Sequence, residues 1–412
     1  DDVLESKLTL DALEKEYDLV KILKIIEELV LAGSGKDSFN EIFKLIYAKL
    51  FDEKEAKMRP DQEVLFRSSK DPQLTYNNIS RLFDGAIREW SGIFDSHETI
   101  GLSPGHLAVC VTELEKIKLL DSNLEVIDAA FEYLLPDVAK GKKGQYFTPR
   151  HVIAMAVKML DPKDGEYNID PACGSGGFLI QTMKYIWANS LKTAPKEARI
   201  EYARKYLYGI DFDEKSVKIA RALMLIAGDG KSHILNLNSL NSKEWQGDEP
   251  EKLRARAELQ ERLRCFDDYD QNRQNRDNFK YFDFDILLSN PPFAGEIKES
   301  LLFREYELAK NDKGKVRNKM ERHILFIERS LDLVKPGGRL AIVLPQGVFN
   351  NSNMEYVRDY LLDKARILAV VGLEVNTFKP HTGTKTSVIF LRKWNDKEAM
   401  PKDYPIFMAV SK

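Results

Sequence analysis

The sequence predicts an α/β fold: a Rossmann-like, doubly wound sheet preceded by an all-helical amino-terminal domain. Three observations lead there. From Ile169 onward, short apolar runs alternate with segments of helical periodicity, the pattern of strands and crossover helices in a mostly parallel sheet. Two of those runs end abruptly in turn chemistry, one in Asp170-Pro171-Ala172-Cys173-Gly174-Ser175-Gly176-Gly177 and the other in Asn290-Pro291-Pro292-Phe293. Ahead of both, from Leu8 to about Glu132, apolar residues recur at three- and four-residue spacing with few strand signals. These observations divide the chain into a helical domain, 1–138, and an α/β domain, 139–412.

Composition narrows the function. A chain of 412 residues has room for roughly two or three domains with real cores. At 43% hydrophobic and 31% charged it is a folded globular protein rather than a disordered one. The net charge of −3 supplies no global attraction to nucleic acid, so any DNA binding rests on local basic patches or on a partner. No run approaches about eighteen apolar residues and no charged-then-apolar leader opens the chain, so a cytoplasmic protein with no membrane contact is expected. Cys110, Cys173 and Cys265 are isolated and the six histidines are scattered, which argues against disulfides, zinc or any other metal. The chain has no initiator Met, and almost nothing follows the strand-like run Tyr404 to Val410, so a fragment of a longer protein is expected.

In the helical part, Tyr17, Val20, Leu23, Ile26 and Leu29, with Ile22 and Ile25 alongside, share one apolar face. Asn40 to Phe51 and Ile79 to Trp90 are expected as further helices. Glu5-Ser6-Lys7 has the carboxylate-x-lysine spacing of a nuclease site, but without a strand around it the triplet carries no weight. Asp121 or Ser122 caps a helix through Leu135 that Pro136 stops, and Ala139 to Gly144 reads as a flexible linker. Thr148 and Pro149 then open the next helix as its cap and first residue.

The α/β part carries the chemistry at its strand ends. Asn168 to Asp170 is a strand, followed by a glycine turn and a helix to about Ala188. The glycines admit a ligand to the backbone, and the helix start presents unpaired NH groups. The spacing departs from the dinucleotide fingerprint, because Leu179 stands where its third glycine belongs, so a nicotinamide cofactor is the weaker reading. Leu207 to Asp213 is a second strand ending in acids, and Asp211, first after the apolar run, is placed to hold ribose hydroxyls. Asp285 to Phe293 is a buried strand delivering Asn290, two prolines and a ring. The prolines remove two donors and leave carbonyls as acceptors, Asn290 adds an amide oxygen, and Phe293 can stack. Such a group of acceptors beside an aromatic face suits a planar group bearing NH2, such as an adenine or an amide.

Between and beyond these ends, a helix runs through Ala227 and His233 to Leu240 is the third strand. Lys243 to Asn278 is a charged insertion that reads either as a solvated helix or as a partner contact. Lys310 to Arg322 carries six basic residues against two acidic ones directly after the Asn290 strand, which suits phosphate binding as well as plain solvation. His323 to Val334 is an amphipathic helix ended by Lys335-Pro336-Gly337-Gly338, Arg339 to Leu344 is a strand, and Ala365 to Val371 and Thr386 to Lys393 are the last strands of the sheet.

The motifs DPACGSGGFL and SNPPF, with GQYFTP before them, resemble those of the amino-methylating DNA methyltransferases that use S-adenosylmethionine. Closest are the modification subunits of type I restriction–modification systems. The resemblance runs from about Leu124 to Lys393 and includes LEVIDAAFEYLL, GQYFTPRHV and HILFIERSLDLVKPGGRLAIVLPQGVFNN. It implies a methyltransferase sheet and a cytoplasmic, adenine-specific enzyme of a restriction system, with double-stranded DNA, a specificity subunit and a restriction subunit as partners. It implies catalytic roles for Asn290, Pro291, Pro292 and Phe293. Gln145, Tyr146, Phe147, Thr148, Asp170, Ala172, Gly174, Ser175, Gly176, Asp211, Asn238 and Asn290 become S-adenosylmethionine contacts, although the family usually carries an acid where Asn238 stands. Lys313, Lys315, Arg317 and Lys319 become DNA contacts, the polar loop His381 to Thr386 faces the target base, and the helical domain meets partners and DNA. Asn-Pro-Pro-aromatic also serves protein-glutamine and ribosomal-RNA methyltransferases, and a catalytically silent binding member of the fold is a further alternative. No segment after Lys393 is large enough to read bases, so specificity is expected in another subunit or a missing carboxyl part. A fused nuclease would instead make the chain a piece of a single-chain restriction–modification enzyme.

Overall fold

The computed structural model describes residues 8–28, 35–59, 63–90, 93–120, 126–127, 130, 133, 148–227, 233–293, 295–379, 382–395, 401 and 403–411. It divides into two units, residues 1–136 with 221–231 and residues 137–220 with 232–412. The expected helix from Asp121 to Leu135 lies mostly outside the described residues, and the linker Ala139 to Gly144, the Glu5-Ser6-Lys7 triplet and His381 lie wholly outside them.

The first unit is helical, with α1 (Leu19–Ile26), α2 (Ser38–Met58), α3 (Pro72–Glu89) and α4 (Pro104–Leu114). Each starts where a short polar side chain accepts a first-turn NH: Asp18 from Lys21, Asp37 from Asn40, Asp71 from Gln73 and Ser103 from His106. Those caps lie upstream of the apolar periodicity, so α2 and α3 begin earlier than their apolar residues suggest. Helix α2 buries charge as well as Phe43, Leu45 and Tyr47. Lys49 pairs with Glu53 at 3.2 Å, and the Glu53 carboxylate accepts the NH groups of Leu119 and Leu120, so the charge is compensated where it is desolvated.

The second unit holds α5 (Arg150–Leu160), β1 (Asn168–Asp170), α6 (Gly177–Ala188), α7 (Lys196–Tyr206), β2 (Leu207–Asp211) and β3 (His233–Asn236). Helix α8 (Glu214–Ala227) runs through the division at residue 220. The insertion forms α9 (Pro250–Gln260) and α10 (Tyr269–Asn278), followed by β4 (Phe284–Ser289) and a two-stranded ribbon of β5 (Glu296–Ile297) and β6 (Met320–Glu321). Helix α11 (Arg322–Leu333), β7 (Val334–Pro345), α12 (Glu355–Lys364), β8 (Ala365–Gly372), β9 (Thr386–Lys393) and β10 (Phe407–Val410) complete it.

Eight strands form one sheet in the order β10-β8-β9-β7-β4-β1-β2-β3. The run β7-β4-β1-β2-β3 is parallel, β9 is antiparallel to both neighbours, and β10 pairs parallel with β8. The chain winds from β1 outward to β3, returns to β4 on the other side of β1, and moves outward to β7. The order therefore reverses between β1 and β4, the point at which open α/β sheets place a ligand crevice outside the carboxyl ends of the strands. Both faces are covered. Ile286 and Leu288 pack with Val152, Val157 and Val343 on one side, while Leu287 packs with Leu340, Leu325 and Leu333 on the other.

Three expectations shift. Strand β3 stops at Asn236 rather than Leu240, because the following residues close into a turn, with Asn241 NH donating to the Asn238 carbonyl. Strand β7 starts at Val334, so Lys335 to Gly338 belong to the strand, across a register shift opposite Phe284 to Ile286. A Cβ on Gly338 would lie 2.9 Å from the Asp285 carbonyl, so the strands approach too closely there for a side chain. The insertion is more than a solvated helix: Trp245, Ala255 and Leu259 are all buried in the main core.

Candidate active site

The three strand ends singled out by the sequence converge. β1 lies between β2 and β4, with Asp170 opposite Gly209 and Ile169 opposite Leu287. Asp170, 1% exposed, leaves β1 and turns its carboxylate inward. Its Oδ1 accepts from the Ala172 NH at 3.0 Å and from Ser289 Oγ at 2.7 Å, so the first strand end is tied directly to the residue before Asn290. Burial pushes the Asp170 carboxyl up to about 7; the bonds from Ser289 and Ala172 work against that rise and nearby Asp211 adds to it.

The glycine turn is shaped by backbone that only glycine adopts easily. Gly174 has φ +51 and Gly176 φ +82, and the latter caps α6. A Cβ placed on Gly174 would meet nothing within 4 Å, so open space lies against this backbone, as a ligand cradle requires. Ser175 is buried and Ala172 half-buried in the same turn. Asp211, at the end of β2, accepts from Gly174 NH at 2.9 Å through Oδ2 and from Asp213 NH at 2.8 Å through Oδ1. A carboxylate has lone pairs beyond those two bonds, so Asp211 can still accept from hydroxyls while it pins the turn.

Asn290, Pro292 and Phe293 are half-buried at the end of β4, and Pro291 is buried. Asn290 Nδ2 donates to Thr148 Oγ1 at 3.0 Å, which orients the amide with Oδ1 on its other side. Phe293 meets Phe378 edge to face, with ring centroids 6.2 Å apart, so its position is set by a second ring. Thr148 does not cap the following helix as the sequence suggested. Pro149 occupies the cap position without a side-chain bond, and the Thr148 hydroxyl is drawn to Asn290 instead. Gln145, Tyr146 and Phe147 lie outside the described residues.

Other candidates take different places. Both ends of the Asn238 amide are used locally: Oδ1 accepts from Leu240 NH and Nδ2 donates to Glu244. Lys313 and Lys315 stand exposed in a tight turn organised by Asn311. Arg317 instead lies 4.5 Å from the Tyr356 ring centroid, and Lys319 pairs with Glu296 across the β5–β6 ribbon.

Three residues at this edge were not singled out from sequence. Ser289 bonds Asp170, Ser239 donates to the Pro171 carbonyl at 2.6 Å, and Phe212 presents a ring 66% exposed beside Asp211. The sequence signal for Phe212 is its place between two acids directly after an apolar strand. Chemically, the edge offers a glycine cradle with two carboxylates on one side and an amide, prolines and an aromatic face on the other.

A family model described as N-6 DNA methylase matches residues 122–410. The methylase subunit of the type I restriction enzyme EcoEI from Escherichia coli is 25% identical over 265 residues, which is 64% of this chain and 45% of that protein. The type II restriction enzyme and methyltransferase RM.BcgI from Heyndrickxia coagulans is 24% identical over 237 residues, covering 57% of this chain and 29% of that one. The chain thus spans less than half the length of either. Among solved structures, the methyltransferase subunit of a type I restriction–modification system from Streptococcus thermophilus superposes with a TM-score of 0.57 at 19% identity, over 91% of this chain and 84% of that one.

Proposed function

The chain belongs to the N-6 DNA methylase family, and from that premise we propose that it transfers a methyl group from S-adenosylmethionine to the exocyclic amine of adenine in double-stranded DNA. It does so as the modification component of a restriction–modification system in the cytoplasm, with a specificity subunit and a restriction subunit as partners. The observation that carries this reading is the bond between Ser289 and Asp170, which locks a ligand cradle and an amine-accepting strand end into one crevice.

On this reading Asp170, Ala172, Gly174, Ser175, Gly176 and Asp211 hold the cofactor, which supplies an electrophilic methyl group when bound. The open space against Gly174 and the two carboxylates beside it fit such a ligand. Asn290 Oδ1 and the Pro291 carbonyl accept from the adenine NH2. That draws the nitrogen lone pair out of the ring and aims it, while the released proton passes to water. Phe293 stacks on the flipped base, offsetting part of an unstacking cost on the order of a few kcal/mol. Lys313 and Lys315 supply phosphate contacts beside the β4 end. The exposed ring of Phe212 beside Asp211 would supply a stacking face for the purine of the cofactor, with Asn238 nearby as a polar contact.

The test is a genome-wide map of adenine methylation in a methylation-free bacterial host carrying the full-length gene with its neighbours, beside the Asn290→Ala version. Methylated adenines in one sequence context, absent in the variant, are the expected result. Unmodified DNA despite measured S-adenosylmethionine binding would redirect the reading to protein-glutamine or RNA substrates. The similarity to RM.BcgI favours a second reading, a methyltransferase portion of a single-chain restriction–modification enzyme. Methylation by this gene alone, without its neighbours, would select it.

A further inference from the structure

Arg329 stands apart from the other buried charges. It lies on α11, the helix that precedes β7, and is 4% exposed. Burial pulls its pKa down, while Tyr306 and the buried carboxyl of Asp332 pull the other way without a direct hydrogen bond to it among the described residues. Its guanidinium is satisfied by main-chain carbonyls: Nε donates to Ser239 at 2.9 Å, Nη1 to Lys280 at 2.8 Å and Nη2 to Phe279 at 3.0 Å. The rings of Trp245 and Phe282 flank it, with centroids at 5.4 and 5.5 Å. Ser239 lies just before the insertion, and Phe279 and Lys280 directly after it, so one side chain staples the two flanks of that excursion together.

The staple continues toward the crevice. Ser239, itself 4% exposed, gives its hydroxyl to the Pro171 carbonyl at 2.6 Å, inside the glycine turn. Tyr306 adds a second hold on the same loop, donating to the Leu240 carbonyl at 2.7 Å. A buried guanidinium is costly even with each nitrogen bonded once, as here, and an apolar residue would fill the same volume with less penalty. The use that distinguishes Arg329 is geometric: it fixes where Ser239 stands, and Ser239 fixes Pro171.

We propose that Arg329 is a positioning residue for the cofactor turn, acting through Ser239 on Pro171 and so coupling the base of the insertion to cofactor affinity. This rests on the reading that S-adenosylmethionine binds at Asp170 to Gly176. The staple touches neither cofactor nor target base, so its loss loosens the turn and raises the cofactor dissociation constant without removing a reacting group.

The experiment uses the full-length protein with the variants Arg329→Lys, Arg329→Met and Ser239→Ala. It measures calorimetric binding of S-adenosylmethionine, thermal midpoint, and methylation kinetics at saturating cofactor. Arg329→Met weakens cofactor binding about tenfold or more, as expected for hydrogen bonds to a charged donor, and Arg329→Lys recovers part of that loss. Ser239→Ala weakens it about three- to tenfold, and adding it to Arg329→Met brings little further loss, because the two act in series. Turnover at saturating cofactor stays within about twofold of wild type. A lowered thermal midpoint with unchanged cofactor affinity in Ser239→Ala and Arg329→Lys would overturn the inference, leaving Arg329 a packing residue. Should Arg329→Met fail to fold, Ser239→Ala alone decides, since it removes a single hydroxyl. Wild-type protein that does not bind S-adenosylmethionine overturns the cofactor reading and this inference with it; wild-type binding with Ser239→Ala and Arg329→Lys unaffected overturns this inference alone.

Discussion

The two halves of the crevice are built differently. On the β1–β2 side, Asp170, Ser175, Asp211 and Ser239 are all 7% exposed or less, and Asp170 and Asp211 receive main-chain NH groups from the turn they flank. On the β4 side, Asn290, Pro292 and Phe293 are half-buried, and side chains set their positions: Thr148 for the amide and Phe378 for the ring. One half is part of the fold's own hydrogen bonding, whereas the other is presented by it. Substitutions in the first half therefore disturb binding and stability together, while those in the second remove chemistry from an intact scaffold.

The sharpest way to break that comparison is Asn290→Ala. Methyl transfer falls by at least about a hundredfold to a thousandfold, the scale of losing a placed transition-state partner, while cofactor affinity and thermal midpoint stay near wild type. Loss of cofactor binding together with activity would erase the distinction between the halves.

Asp170→Asn probes the other side. A carboxyl whose pKa is raised on folding holds its proton more tightly in the native state. Stability therefore falls as pH climbs from 3.8, the ordinary carboxyl value, to about 7, and is flat above. The amide keeps an acceptor for Ser289 but cannot ionise, so relative to wild type the variant gains stability at pH 8, on the order of 4 kcal/mol at most, and none at pH 3. Its cofactor affinity drops. Denaturant titrations at several pH values separate this group from Glu328, Asp332 and His323, which titrate in both proteins. A parallel pH profile in wild type and variant would mean that Asp170 is not the buried acid described here.

Phe293→Ala gives a smaller effect confined to DNA: about ten- to a hundredfold in kcat/KM for DNA from lost stacking, with cofactor affinity unchanged. Smallest are the charge reversals outside the crevice. Lys313→Glu and Lys315→Glu each weaken DNA binding severalfold and lower the salt dependence by about one phosphate contact, seen in binding titrations across salt concentrations. Lys319→Glu, whose ammonium already pairs with Glu296, does less. Equal effects from all three would mean that the Glu296 pair does not withhold Lys319 from phosphate.

Much of this architecture is legible in the sequence alone. Leu207 to Asp211 and Asp285 to Ser289 announce themselves as strands because largely apolar runs stop at residues that cannot continue them, while Asn168 to Asp170 is marked by the glycine turn that follows it. The glycine turn and the two prolines are local chemistry, readable from neighbours in the chain. What misled was equally local. Thr148 has the composition of a helix cap, and the stretch after Asn236 the composition of a strand, yet each is claimed by a distant or turning partner. The insertion looked solvated because its charges outnumber its apolar residues, although the apolar few, Trp245 and Leu259 among them, are the ones that bury.

The sequence by itself determined the order of strands and helices, the two loops that carry chemistry and the family to which they point, because each of these is written in residues close together. The tertiary structure alone decided which of those residues meet. Ser289 reaches Asp170 across 119 positions, Thr148 reaches Asn290 across 142, and Arg329 reaches Ser239 across 90. Such bonds depend on the strand order reversing between β1 and β4 and on the register within it. That order and register are set by how both faces of the sheet pack, and no local pattern along the chain records it.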